Sequence, residues 1–255
     1  MVERDFELPE NKKLFFASDF HLGVPDHQTS LNREKKIIRW LDSIKPEAHT
    51  VFLLGDIFDF WFEYKRVVPK GFVRLQGKLA ELTDEGIQVA AFRGNHDMWM
   101  FDYFRKEINM EVFSGTLNFT VNGKKFHIGH GDGLGPGDRT YKALKLVFSN
   151  KVCQWLFGLL PPFIGIGIAQ SWSQSSRANN NNKDTADNLE NERLLRYCKE
   201  KEKEEHFDYY VFGHRHKVMD VPVGPESAYI NLGDWINSSS FGEFDGRSFV
   251  LKEFV

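Results

Sequence analysis

Short apolar runs alternate with helix-spaced apolar positions through the first hundred residues. Leu14 to Ser18, Thr50 to Leu54 and Gln88 to Phe92 are nearly continuous apolar stretches, the pattern of strands buried on both faces. Between the first two, positions 37, 38, 41 and 44 within Glu34 to Ile44 fall at helical spacing. Between the second and third, Phe72, Leu75, Leu79 and Leu82 do the same, and Gly86 follows as a stop. This order predicts βαβ units with right-handed crossovers. The second half reads differently. Leu117 to Val121 and Lys125 to Ile128 flank Asn122-Gly123, a hairpin signal. Tyr209 to Phe212, Val218 to Val221, Tyr229 to Asn231 and Arg247 to Leu251 are further short strands. Ala186 to Glu205 reads as a helix capped by Asp184 or Thr185, ending in a solvated charge run from Lys199. Asn179 to Asn182 is a polar loop, and no internal repeat is visible.

Composition narrows the class. The chain has 255 residues, 41% hydrophobic and 27% charged, so it is read as one large domain over 1–255 rather than a disordered or polytopic membrane protein. A net charge of -3 argues against a nucleic-acid binder. Two cysteines, Cys153 and Cys198, point to a reducing compartment, and the charged N-terminal stretch does not read as a secretory signal. The charge is unevenly placed. Arg139 to Lys183 holds six Lys or Arg and no Asp or Glu, so it carries +6 and the remainder carries -9. Inside it lies Val152 to Ile168, the most apolar run, broken by Pro161-Pro162 and three glycines. At 17 residues it stands at the lower limit for a membrane span, and its breaks divide it into two short halves. Apolar halves flanked by Lys142, Lys145, Lys151 and Arg177 suit an interfacial, acyl-contacting hairpin. The plainer alternative is an apolar hairpin packed on the main core.

Five polar motifs follow predicted strands: Asp19-Phe20-His21, Gly55-Asp56-Ile57-Phe58-Asp59, Gly94-Asn95-His96-Asp97, Gly129-His130-Gly131-Asp132 and Gly213-His214-Arg215-His216. Ligands bind outside the carboxyl ends of strands in open α/β sheets, so all five are expected on one rim. Carboxylate, imidazole and amide oxygen suit Mn²⁺, Fe or Zn²⁺, and the lack of thiolates argues against a structural zinc site. Two ions about 3.5–4 Å apart clamp a phosphoryl group and activate water. The glycines before Asp56, Asn95 and His214 are expected to turn the backbone sharply toward the ligands. Any one of these motifs alone is weak, whereas five in this order are hard to reach by chance. His27, His49, His127 and His206 lie outside them and are read as structural or surface residues, with His127 pointing off the rim.

The set D-x-H, GD-x-x-D, GNH-D, GH and GH-x-H, spanning Asp19 to His216, resembles the signature of the calcineurin-like metallophosphoesterases. That resemblance implies a four-layer α/β/β/α sandwich of two mixed sheets. It also implies that Asp19, His21, Asp56 and His216 hold one divalent ion. Asp56 would bridge to a second held by Asn95, His130 and His214, with Mn²⁺ the expected metal. His96 would sit beside the leaving group, oriented by Asp97.

Within that superfamily the chain looks like the UDP-2,3-diacylglucosamine pyrophosphatases of lipid A biosynthesis. The likeness rests on Gly55 to Trp61, on His130-Gly131-Asp132-Gly133-Leu134 followed by Asp138 and Tyr141, and on the insert at about 139–183. One position departs: His96 stands where the better-known members carry Arg. The resemblance implies a helical cap holding the acyl chains of a lipid-linked nucleotide sugar. The enzyme would then be peripheral on the cytoplasmic face of the inner membrane. Asp138, Tyr141, Ser173, Ser176, Arg177 and Lys183 are the candidate substrate contacts. The alternatives are a soluble metallophosphodiesterase or dinucleoside-polyphosphate hydrolase, and a non-enzymatic scaffold that has lost ligands.

Overall fold

Leu14-Phe15-Phe16-Ala17 explains the architecture in four residues. Alternate side chains on a strand point to opposite faces, and here both faces are apolar, so the strand must be covered on both sides. In the computed structural model, which describes residues 4–137, 139–168 and 192–255, it is. Phe15 and Ala17 pack with Val51, Leu53, Val89 and Ala91 against Ile37, Trp40, Leu41, Leu75 and Leu79 of two helices. Leu14 and Phe16 turn the other way and meet Leu117, Phe119, Phe126, Ile128 and Val211 of a second sheet.

The first sheet is built from β2 (Lys13–Ala17), β3 (Ala48–Leu53), β4 (Gln88–Phe92), β5 (Glu111–Phe113), β11 (Ser240–Phe244) and β12 (Phe249–Glu253), in the order β12-β11-β2-β3-β4-β5. Strands β2 to β5 run parallel, with Leu14 opposite Thr50 and Val51 opposite Val89, and β11 is antiparallel to both neighbours. The second sheet is β1 (Asp5–Phe6), β6 (Leu117–Val121), β7 (Lys124–Gly129), β8 (Tyr209–Phe212), β10 (Ser227–Leu232) and β9 (Val218–Gly224), in that order. It too is mixed: β6 and β7 form the Asn122-Gly123 hairpin, and β7 is parallel to β8. Helices α1 (His27–Ile44), α2 (Val73–Asp84) and α3 (Tyr103–Ile108) cover the first sheet. A later helix, Arg193–Glu204, covers the second through Leu194, Leu195 and Cys198. The result is a four-layer α/β/β/α sandwich of two mixed sheets. Phenylalanines fill its middle, with Phe16, Phe52, Phe119 and Phe126 stacked at centroid distances of 5.0–6.0 Å.

Between β7 and Arg193 lies the insertion. Its described part is α4 (Arg139–Ser149), α5 (Lys151–Gly158) and a helical stretch at 162–168. The Arg193–Glu204 helix is therefore α6. It matches the later part of the predicted Ala186 to Glu205 helix, with Glu192 capping it by accepting from the Leu194 amide; residues 186–191 lie outside the described residues. The expected caps Asp184 and Thr185 and the loop 179–182 lie outside the described residues. Helix α1 starts earlier, at His27, because Asp26 accepts from the Thr29 amide. The short β1, β5, β11 and α3 were not anticipated, and the last strand sits two residues later than expected. Among the described residues no helix is long and apolar enough to cross a membrane.

Candidate metal and phosphoester site

The strand ends β2, β3, β4, β7 and β8 lie side by side across the two sheets, and the five polar loops leave them together. Five ligand candidates, Asp19, His21, Asp56, His214 and His216, have left-handed backbone with φ between 43° and 69°. Non-glycine residues occupy that region at a cost, and such strain clusters where function demands it. Two glycines permit the crowding by close approach rather than by turning. A Cβ on Gly94 would run into the Asp56 carboxylate and amide, and one on Gly213 into Ser18 and the Asp19 carboxylate. Arg33, buried on α1, donates to the carbonyls of Phe20 and His21 at 3.1 and 2.8 Å and fixes the first loop.

All seven residues expected to hold metal converge. The Nε2 of His21 lies 3.7 Å from Asp19 Oδ1, 3.6 Å from Asp56 Oδ2 and 3.3 Å from His216 Nε2. His216 Nε2 is 3.4 Å from Asp19 Oδ1. On the other side of Asp56, His130 Nε2 is 3.3 Å from Oδ2 and 3.1 Å from Asn95 Oδ1. His214 stands edge-on to His130 at 5.1 Å between ring centroids. Asp19, His21 and His216 form one compact ligand group, and Asp19, Asp56 and His130 another. Asp19 Oδ2 accepts from the His214 amide at 2.9 Å, while its buried Oδ1 has no hydrogen-bond partner. A buried carboxylate oxygen without a donor costs free energy unless a cation meets it, so the donor set fits divalent ions. The electrostatics agree. Burial opposes protonation of His21 and His130, yet the surrounding carboxylates outweigh it and push each up to about 10. Burial and the charge of His130 instead push His214 down to about 4, leaving a neutral ring.

His96 and Asp97 divide differently from expectation. Asp97 is occupied by main-chain donors. Its carboxylate accepts from the amides of Gly94 (2.8 Å), Ile57 (2.7 Å), Asp56 and Phe58 (both 3.3 Å), stitching the third loop to the second. Burial, together with the charge of Asp56, raises Asp97 to about 7. His96 leans on Asp59: the His96 Nδ1 is 3.2 Å from the Asp59 carbonyl and 3.6 Å from its carboxylate. Asp59 also lies 3.5 Å from His21 Nδ1. In the sequence it is the second Asp of Gly55 to Asp59, a position whose spacing alone carries no role. Asp234 was missed too. It holds His216 Nδ1 at 3.0 Å, and its signal was a Gly233-Asp234 pair at another strand end.

Of the substrate candidates, Tyr141 is described: its hydroxyl donates to Asp132 Oδ2 at 2.5 Å. Lys145, one turn on, reaches the same oxygen at 2.6 Å. Asp132 is buried two residues after His130, so α4 is pinned to the loop that carries that histidine. Asp138, Ser173, Ser176, Arg177 and Lys183 lie outside the described residues. Beneath the insertion, Phe148, Phe157 and Ile166 pack on Phe60, Phe62 and Trp99, and Trp99 donates to the Phe148 carbonyl at 2.9 Å. Its other side stays open: Leu146, Trp155, Leu159 and Phe163 are 63–77% exposed.

Residues 12–218 match the family model described as calcineurin-like phosphoesterase. The chain is 36% identical over 253 residues to a UDP-2,3-diacylglucosamine hydrolase of Porphyromonas gingivalis, covering 94% of this chain and 97% of that one. It is 28% identical to a protein of the same name from Histophilus somni, with 93% and 98% covered. Among solved structures, an archaeal phosphodiesterase aligns with a TM-score of 0.47 and 14% identity over 94% of this chain and 99% of that one.

Proposed function

The chain belongs to the calcineurin-like phosphoesterase family, and from that premise we propose that it hydrolyses the pyrophosphate bond of UDP-2,3-diacylglucosamine. Water adds across that bond, giving UMP and 2,3-diacylglucosamine 1-phosphate, a step of lipid A biosynthesis. The observation that carries this substrate is the apolar outer face of the insertion, held beside the phosphoester centre. A soluble phosphodiester or dinucleoside polyphosphate makes no use of such a face, whereas two acyl chains do. The full-length likeness to proteins named for this substrate supports it.

Asp19, His21, Asp56 and His216 would hold one divalent ion, and Asp56, Asn95, His130 and His214 a second, with Mn²⁺ suited to this oxygen and imidazole set. Such ions supply Lewis-acid stabilisation of phosphoryl charge and make water nucleophilic at neutral pH. Asp56 would be shared, since its Oδ2 lies 3.6 Å from His21 Nε2 and 3.3 Å from His130 Nε2. His96, set at the rim by Asp59, supplies a proton or positive charge to the departing phosphate oxygen. The insertion binds the acyl chains and rests the enzyme on the cytoplasmic face of the inner membrane. Product analysis on UDP-2,3-diacylglucosamine, a generic phosphodiester and a dinucleoside polyphosphate tests the proposal. Preference for either soluble substrate would overturn it.

A further inference from the structure

From beneath the insertion to the first turn of α2 the chain reads Lys65-Arg66-Val67-Val68-Pro69-Lys70-Gly71-Phe72-Val73-Arg74, four cations with no Asp or Glu. The segment is fixed at several points. Phe62, just before it, lies 4.8 Å from Phe157 of α5 between ring centroids. The Tyr64 amide donates to the Val67 carbonyl at 3.0 Å, and Val68 and Phe72 pack on the core. What remains points outward: Lys65, Arg66, Lys70 and Arg74 are exposed, and so are Val67 at 49% and Val73 at 72%. Beside Arg74, Lys35 and Arg39 of α1 line an open groove of about 520 Å³ with Ile38, Lys78 and Glu81, whose carboxylate is held by Lys45 and Lys78.

These six cations differ from most lysines of this chain. Lys45 pairs with Glu81 and Glu85, Lys78 with Asp42 and Glu81, and Lys124 with Asp208. The six have no acidic partner among the described residues. Glu63, next to the 65–74 segment, is already taken by the amides of Asp102 and Tyr103, and Glu34, next to Lys35, by those of Arg74 and Leu75.

We infer that Lys65 to Arg74, with Lys35 and Arg39, is an interaction surface for an anionic phospholipid bilayer, separate from the apolar insertion. Protein interfaces are depleted in lysine and pair their charges with fixed geometry. Flexible cations interspersed with isolated valines suit a fluid array of phosphates, which demands no fixed geometry and takes short apolar side chains at its boundary. The segment also begins under the helices whose exposed face is proposed to meet acyl chains. Each cation near an anionic leaflet multiplies partitioning by roughly five, an effect that salt screens. The inference rests on the lipid-substrate proposal only for why a bilayer is at hand.

The test is flotation of the full-length, metal-loaded protein with vesicles of phosphatidylcholine alone and of phosphatidylcholine containing phosphatidylglycerol. The parent is expected to favour the anionic vesicles, and added salt to erase the preference. The triple variant Lys65→Glu, Arg66→Glu, Lys70→Glu should lose the anionic preference by tenfold or more, on the order expected for three cations. Its melting temperature and its hydrolysis of a small water-soluble phosphodiester should be unchanged. The charge-conserving Lys65→Arg, Arg66→Lys, Lys70→Arg should behave as the parent. Equal anionic binding by the reversed triple would overturn the inference. So would binding of the parent to soluble polyglutamate as tightly as to the anionic vesicles, since the partner would then be an acidic protein. A parent that binds anionic vesicles through these residues yet leaves UDP-2,3-diacylglucosamine intact would sink the proposed substrate and leave this surface standing.

Discussion

Asp56 offers one carboxylate oxygen to His21 and His130 and the other to the His96 amide at 2.9 Å, so a single side chain ties its own loop to three of the other four. Asp56→Ala is expected to abolish turnover and remove metal from both positions, read by elemental analysis of dialysed protein; near-normal activity would contradict the shared role. The neighbours His96 and Asp97 were legible from the sequence as a pair, but not as to what each does. Spacing cannot reveal that Asp97 turns inward onto four amides while His96 leans on Asp59. This geometry makes opposite expectations testable. His96→Gln should lower the rate by about 10²–10⁴-fold with metal content intact. Asp97→Ala should instead lose metal and thermal stability together, because the loop carrying Asp56 loses its acceptor. An Asp97→Ala enzyme with full metal and a rate defect matching His96→Gln would restore the orienting role. Asp59 and Asp234 show what a motif reading overlooks. Each touches a histidine of the expected ligand sets without being a member of either.

Elements with a regular apolar stripe were readable within a few residues, and those governed by polar contacts were not. Helix α1 begins seven residues before its apolar spacing because its first turns bury Ser30, Arg33 and Glu34. Those polar residues have tertiary tasks: Arg33 holds the first loop, and Glu34 accepts from the Arg74 and Leu75 amides, capping α2 from a neighbouring helix. No local signal announces a cap supplied from forty residues away. The attachment of α4 is of the same kind. Tyr141 and Lys145 share one face at i and i+4 and converge on Asp132. Asp132→Asn weakens both contacts and should loosen α4 while leaving the apolar contacts of α5 in place. Amide exchange in 139–149 should quicken, and KM for the diacyl substrate should rise more than kcat falls. Unchanged exchange in α4 would show that the aromatic packing alone secures the insertion.

At the scale of the molecule, two sheets need four covered faces, and the continuous apolar strands of the first half already required this. The strand order of the second sheet was not legible, because short strands of similar pattern pair in many ways. His127 shows how its outer face is sealed. Its Nδ1–H donates to Asn118 at 2.6 Å and its Nε2 accepts from the Tyr197 hydroxyl of α6 at 3.0 Å, a neutral ring fully used. Burial, with Lys201 nearby, pushes it down to about 4. The unfolded ring takes up its proton near 6.5, so stability is lost as pH falls from about 6.5 toward 4, on the order of 3 kcal/mol. His127→Gln should flatten that part of the urea midpoint against pH curve relative to the parent; parallel curves would rule it out. The insertion is the other molecular-scale feature, apolar on both sides although only one packs on the core among the described residues. Leu156 and Ile164 are 53% and 39% exposed, so charging them should leave the core intact. Burying each acyl methylene contributes about 0.8 kcal/mol, and two chains offer many. Leu156→Asp with Ile164→Asp should therefore raise KM for the diacyl substrate steeply and weaken binding even to uncharged vesicles. A small chromogenic phosphodiester, which has no chain to bury, should be cleaved at the parent rate. Undiminished lipid turnover and vesicle binding would make the insertion an ordinary packed hairpin, and the soluble phosphodiesterase would become the better account of the centre.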